Sequence, residues 1–133
     1  MKPNRKLVRA AVSIAGAFTL VIGMQGEAWA VVKMTLKDGG GYGQWSADPS
    51  GSIPGDAIRA CDEASDGWGI QLELDIHQDG TVDRIATTRG HDAPYCTGWK
   101  TGDIKEGTKV TLKLYKVKGN EIGPYWTTMN STA

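Results

Sequence analysis

Phenylalanine is almost absent from this sequence, with one in 133 residues, and there are only two cysteines and two histidines. Beyond residue 30 no phenylalanine remains, so each of the four tryptophans and four tyrosines there combines an apolar ring with a polar handle. No stretch beyond residue 30 sustains the three-and-four spacing of an amphipathic helix, and none is apolar for long enough to span a bilayer, which argues against a helical bundle and a membrane-held domain. There is no G-x-S-x-G elbow, no close cluster of Cys and His, and no cofactor-binding glycine loop. Nothing therefore points to a nucleophilic hydrolase, a zinc site or a bound cofactor, and the expectation is a non-enzyme with no cofactor.

What is present begins with a leader. Lys2, Arg5, Lys6 and Arg9 form a basic start, Ala10 to Met24 an apolar core, and Ala28-Trp29-Ala30 a small-x-small end. These are the three zones of a secretory signal peptide in order, with cleavage expected after Ala30. The apolar core is shorter than the roughly 20 residues of a membrane span, which separates a cleavable leader from an anchor. The expected product is residues 31–133, one secreted, extracellular β domain with no membrane attachment. It holds eleven basic against fourteen acidic residues, a net charge of −3. A basic footprint is missing, so nucleic acid is not an expected partner.

Cys61 and Cys96 both lie beyond the leader. In an oxidising compartment two cysteines without metal-ligand neighbours most simply form one disulfide. The loop it closes makes the bridge worth roughly 4 kcal/mol, a large share of a small domain's stability.

Period-two alternation dominates the chain. Ile70, Leu72, Leu74 and Ile76 face one way and Gln71, Glu73, Asp75 and His77 the other, and Val110, Leu112 and Leu114 repeat the pattern, as do Val32, Met34 and Leu36. Asp79-Gly80 reads as the turn of a hairpin into a strand over Thr81 to Arg89, and Lys118-Gly119-Asn120 as the turn joining Lys109 to Val117 with Glu121 to Met129. Pro124 in the last strand marks a sheet edge or a bulge. Residues 37–56, with six glycines and two prolines, read as a mobile loop or a loose hairpin. The pattern predicts an all-β fold, a small antiparallel sandwich or barrel.

Counted from Asp62, acids at the first and fifth places and Gly67 at the sixth resemble a calcium loop as far as Glu73, but Ala64 occupies a ligand position and Glu73 falls in an alternating strand. No metal site is expected, and Asp62 and Asp66 are the only cation candidates. His77 is placed on the polar face of its strand. His91, beside Asp92 and Tyr95 in a loop pinned by the bridge, is a binding candidate without a nucleophile to activate. Trp68 and Trp126 adjoin strands and are assigned to packing. Tyr42 and Trp45 in the glycine-rich segment, with Tyr95 and Trp99 beside Cys96, are the other binding candidates, since exposed Trp and Tyr anchor protein interfaces or stack on sugar rings.

Ile58-Arg59-Ala60-Cys61-Asp62, Asp66-Gly67-Trp68-Gly69, Arg89-Gly90-His91, Pro94-Tyr95-Cys96 and Glu106-Gly107-Thr108-Lys109-Val110-Thr111-Leu112 together resemble a group of small secreted actinobacterial β-domain proteins, over roughly residues 57–117. The resemblance implies a signal peptide and a disulfide-bonded β domain, and no activity or site residues. Members of that group often carry further cysteines in the last hairpin, where this chain has Tyr115 and Tyr125 nearby.

The functional expectation is a secreted binding protein, an inhibitor of an extracellular hydrolase with its anchors on a protruding loop from Tyr95 to Trp99. The alternative is a carbohydrate or cell-wall binding module with aromatics aligned on a face, and a small hydrolase comes last. The partner is thus an extracellular protein or a polysaccharide. With room for only one domain beyond the leader, a protein partner is favoured over a sugar.

Overall fold

The computed structural model describes residues 31–133, so the expected leader and its cleavage point lie outside the described residues. The described chain is all-β: β1 (Val32–Thr35), β2 (Gly41–Ser46), β3 (Ala57–Asp62), β4 (Gly69–Ile76), β5 (Arg84–Thr87), β6 (Tyr95–Cys96), β7 (Lys109–Lys118) and β8 (Glu121–Thr132). They form two antiparallel four-stranded sheets, ordered β1-β2-β3-β6 and β5-β4-β7-β8. The alternating apolar residues explain the sandwich. Met34, Trp45, Ile58 and Ala60 point inward from the first sheet, and Ile70, Leu72, Leu74, Val110, Leu112 and Leu114 from the second, all buried in one core. No helix among the described residues is long and apolar enough to cross a membrane.

The segment 37–56 differs from the sequence expectation. β2 within it is fully paired, with β1 on one side and β3 on the other. Its glycines serve close approach rather than freedom. A Cβ on Gly41 would run into the Cys61 carbonyl and Ile70, and one on Gly43 would sit 3.0 Å from Leu72 and Leu114 of the opposite sheet. Trp45, a binding candidate from sequence, is buried in the core at 1% exposure, and its indole Nε1 donates to Ser131 Oγ at 3.1 Å. It is therefore a packing residue.

The hairpin after β4 also starts its second strand later than expected, at Arg84 rather than Thr81. Carboxylates bond the turn's backbone in place of a ladder. Ile76 N–H donates to Asp83 Oδ2 at 2.6 Å, and the N–H groups of Asp79 and Gly80 donate to the Asp75 carboxylate at 3.1 and 2.8 Å. His77 leaves the strand here, at φ 74°.

β8 is an edge strand, and the register slips between Tyr115 and Val117 opposite Pro124, so the proline sits at both an edge and a bulge. The Cys61–Cys96 disulfide joins β3 to β6 as a directly opposed pair and holds this two-residue strand on the sheet.

Candidate functional site

Alternation fixes which side chains each sheet turns outward. In β3, Arg59 lies between the core residues Ile58 and Ala60 and so faces out, in one register row with Gln44 of β2 and Lys33 of β1. Tyr42 and the disulfide occupy the next outward row. Both cations on this face rest against rings. The Lys33 ammonium lies 4.0 Å from the centroid of Tyr42, and the Arg59 guanidinium 4.9 Å from that of Trp99. Arg59 Nε donates to Gln44 Oε1 at 2.5 Å. Each cation–ring contact is worth about 0.5–1 kcal/mol at such a site. Tyr42 and Trp99, singled out from sequence, thus share a face, half-buried beneath cations.

The outer face of the second sheet is built differently. Gln71, Tyr115 and Trp126 stand in one register row across β4, β7 and β8, and Glu73, Lys113 and Thr128 in the next. Gln71 Nε2 donates to the Tyr115 hydroxyl at 2.6 Å and to Glu73 Oε1 at 3.2 Å, and the Tyr115 hydroxyl donates to the same Glu73 oxygen. Gln71 and Tyr115 are buried although they face outward. Burial, and then the bond to the Glu73 carboxylate and its charge, push the Tyr115 phenol up to about 12, so it remains a donor at any ordinary pH. Glu73 Oε2 accepts no hydrogen bond among the described residues. Beside this network Trp126 is 62% exposed, and the Lys113 ammonium lies 5.7 Å from its centroid.

Sequence reasoning assigned Trp126 to packing. Its register opposite Tyr115 turns it outward on an edge strand, where only one neighbouring strand flanks it.

His91 and Tyr95 stack in parallel, with ring centroids 3.8 Å apart. His91 lines an open cleft of about 800 Å³ at one end of the sandwich, together with Asp62, Trp68, Arg89 and Lys118. Trp68 is half-buried with Lys118 over its ring at 5.8 Å. Among the described residues the His91 imidazole makes no hydrogen bond to a serine or carboxylate. Tyr95 belongs to β6, paired opposite Asp62, rather than to a protruding loop.

The two cation candidates are otherwise engaged. Asp62 Oδ1 accepts the Ala64 N–H at 3.1 Å, and burial raises its carboxyl above the usual range. Asp66 lies 3.5 Å from Lys116 Nζ and accepts the Trp68 N–H. Glu73, the twelfth residue of the imagined loop, belongs to the network on the second sheet. The acids that do converge are Asp75, Asp79 and Asp83, whose ligand oxygens lie within 4.8 Å of one another. Asp79 is held below the usual carboxylate range, chiefly by the Thr81 N–H. Since these carboxylates also bond the turn's own backbone, the turn itself explains their proximity.

Fold and faces together define a disulfide-bonded β-sandwich with aromatic and charged groups on both flat surfaces. No family model matches the chain, and no curated protein matches it. Among solved structures, the endonuclease/exonuclease/phosphatase from Beutenbergia cavernae DSM 12333 is similar at 20% identity and a TM-score of 0.49, over 78% of this chain and 27% of that one. The chain thus spans about a quarter of that protein's length.

Proposed function

We propose that this chain is a secreted, non-catalytic carbohydrate-binding protein that engages polysaccharide with the outer face of β5-β4-β7-β8. The observation that carries the reading is Trp126, open to solvent at 62% exposure beside the fixed Gln71–Tyr115–Glu73 network. An indole face packs against the C–H face of a pyranose ring. Next to it, Glu73 Oε2 accepts from sugar hydroxyls and Lys113 donates to them. A few prearranged polar groups beside an apolar platform are what orients such a ligand, and the Gln71–Tyr115–Glu73 bonds fix that polar part in advance. Secretion is supported by the leader pattern and by the disulfide. The inhibitor expectation rested on a protruding loop, and Tyr95 and Cys96 instead form a paired strand.

The test is co-sedimentation of the oxidised protein with insoluble glucan, chitin, xylan and bacterial cell wall. Retention on at least one is expected, with Trp126→Ala weakening it about tenfold or more, as for an anchor worth about 1.4 kcal/mol or more. Retention on none of them, or retention indifferent to Trp126→Ala, overturns the reading. Inhibition of a secreted hydrolase by the same protein restores the inhibitor.

A further inference from the structure

The first sheet's outer face carries two cations, Arg59 and Lys33, that form no ion pair among the described residues. Among the described residues the ion pairs are those of Lys116 with Asp38 and Asp66, on neither of which Arg59 or Lys33 draws. Arg59 is also held in place, since its guanidinium lies over the Trp99 ring and Gln44 Oε1 takes its Nε–H. Among the described residues its two terminal nitrogens make no hydrogen bond, and they form the edge of a planar fork that matches a carboxylate bidentately. A guanidinium is ordinarily costly to immobilise, and here the cost of ordering is met before any ligand arrives. Lys33, held against Tyr42, lies in the same register row two strands away, a separation of about 10 Å across the sheet. The face therefore offers alternating positive charge and aromatic surface, although the described chain is acidic overall.

We propose that this face is a second binding site, specific for the carboxylate groups of an acidic, uronate-containing glycan, with Arg59 as the bidentate receptor and Lys33 as a second contact. It rests on the carbohydrate-binding reading for the class of ligand only, since its residues are separate from Trp126 and its neighbours.

The test is affinity electrophoresis of the full-length, oxidised protein in gels containing polygalacturonate, a neutral galactan, or dextran sulfate. Polygalacturonate is expected to retard the protein, less so as salt is raised. Arg59→Gln should weaken retardation roughly tenfold or more, the range for a lost hydrogen bond to a charged group. Arg59→Lys, which keeps the charge and loses the fork, should also weaken it severalfold, whereas a merely diffuse charge effect leaves Arg59→Lys at the wild-type level and overturns the proposal. Retardation by dextran sulfate alone overturns the carboxylate assignment. Unchanged thermal melting of both variants shows that the fold is intact. If polygalacturonate has no effect while a neutral polysaccharide still retains the protein through Trp126, this inference fails and the reading of the second sheet stands. Loss of neutral binding with Arg59-dependent retardation intact has the opposite meaning.

Discussion

The outer faces of the two sheets use the same kinds of side chain in opposite ways. On the first, Lys33 and Arg59 lie over Tyr42 and Trp99, so the rings orient the cations and are themselves half covered. On the second, Gln71, Tyr115 and Glu73 bond one another, and Lys113 lies over the rings of Tyr115 and Trp126 at the longer distances of 5.6 and 5.7 Å, leaving Trp126 62% exposed. A ring beneath a cation serves charge recognition, because it fixes the cation without neutralising it. A ring beside a fixed hydrogen-bond network serves stacking where most of its surface stays exposed, as at Trp126, with the lysine only loosely over it. The two faces share one core, only the thickness of a sandwich apart, and differ in what lies between ring and solvent.

Covalent support also differs, since the disulfide lies on the first sheet alone. Cys61→Ser with Cys96→Ser should cost roughly 4 kcal/mol, read as a lower urea midpoint with a steeper slope, because the unbridged unfolded chain exposes more surface. Because both sheets fill one core, near-ultraviolet circular dichroism and intrinsic fluorescence should lose structure in a single transition. Separate transitions would mean that the first sheet depends on the bridge and the second does not.

A smaller effect probes how closely β2 approaches its neighbours. Gly41→Ala places a methyl against the Cys61 carbonyl and Ile70, an overpacking that should destabilise by roughly 3 kcal/mol. A denaturation midpoint equal to wild type would show that β2 has the latitude of a loop.

At ordinary pH the smallest effect belongs to Tyr115. Its phenol is raised to about 12 in the folded protein, against an ordinary value near 10. The unfolded chain therefore loses this proton first as pH rises. The network's contribution is complete below about pH 10 and is lost between about 10 and 12. In an alkaline absorbance titration one tyrosine should ionise late, and Tyr115→Phe should remove that late step. Absence of a late step in the wild type would show that the network is open to water, and a late step that survives Tyr115→Phe would belong to another tyrosine.

The alternating strands were legible because period two shows wherever one face is buried: β4 and β7 could be read residue by residue from Ile70–Ile76 and Val110–Leu114. β2 was not, because Gly41 and Gly43 give no hydrophobic signal where a bare backbone is what lets the sheets approach. Trp45 looked exposed for the same reason. Ile104 also enters the core, from a loop without periodicity, where its N–H donates to the buried Asp56 Oδ2 at 2.9 Å. Of the surface groups, Tyr42 and Trp99 could be chosen from their residue type and position. Arg59 could not, since a lone arginine in Ile-Arg-Ala-Cys shows only that it points outward, and its partners Gln44 and Trp99 are supplied by the fold. Trp126 was misjudged because an aromatic in an alternating strand packs or faces water according to which residue it pairs with, and its pairing with the outward-facing Tyr115 on an edge strand is supplied by the fold.

The most direct test of the contrast is to compare Trp126→Ala and Trp99→Ala side by side on the neutral polysaccharide that retains the wild-type protein. The account predicts about a tenfold or greater loss for Trp126→Ala and wild-type retention for Trp99→Ala, since the covered ring takes no part in stacking neutral sugar. Equal losses from both variants, or a loss confined to Trp99→Ala, would contradict it.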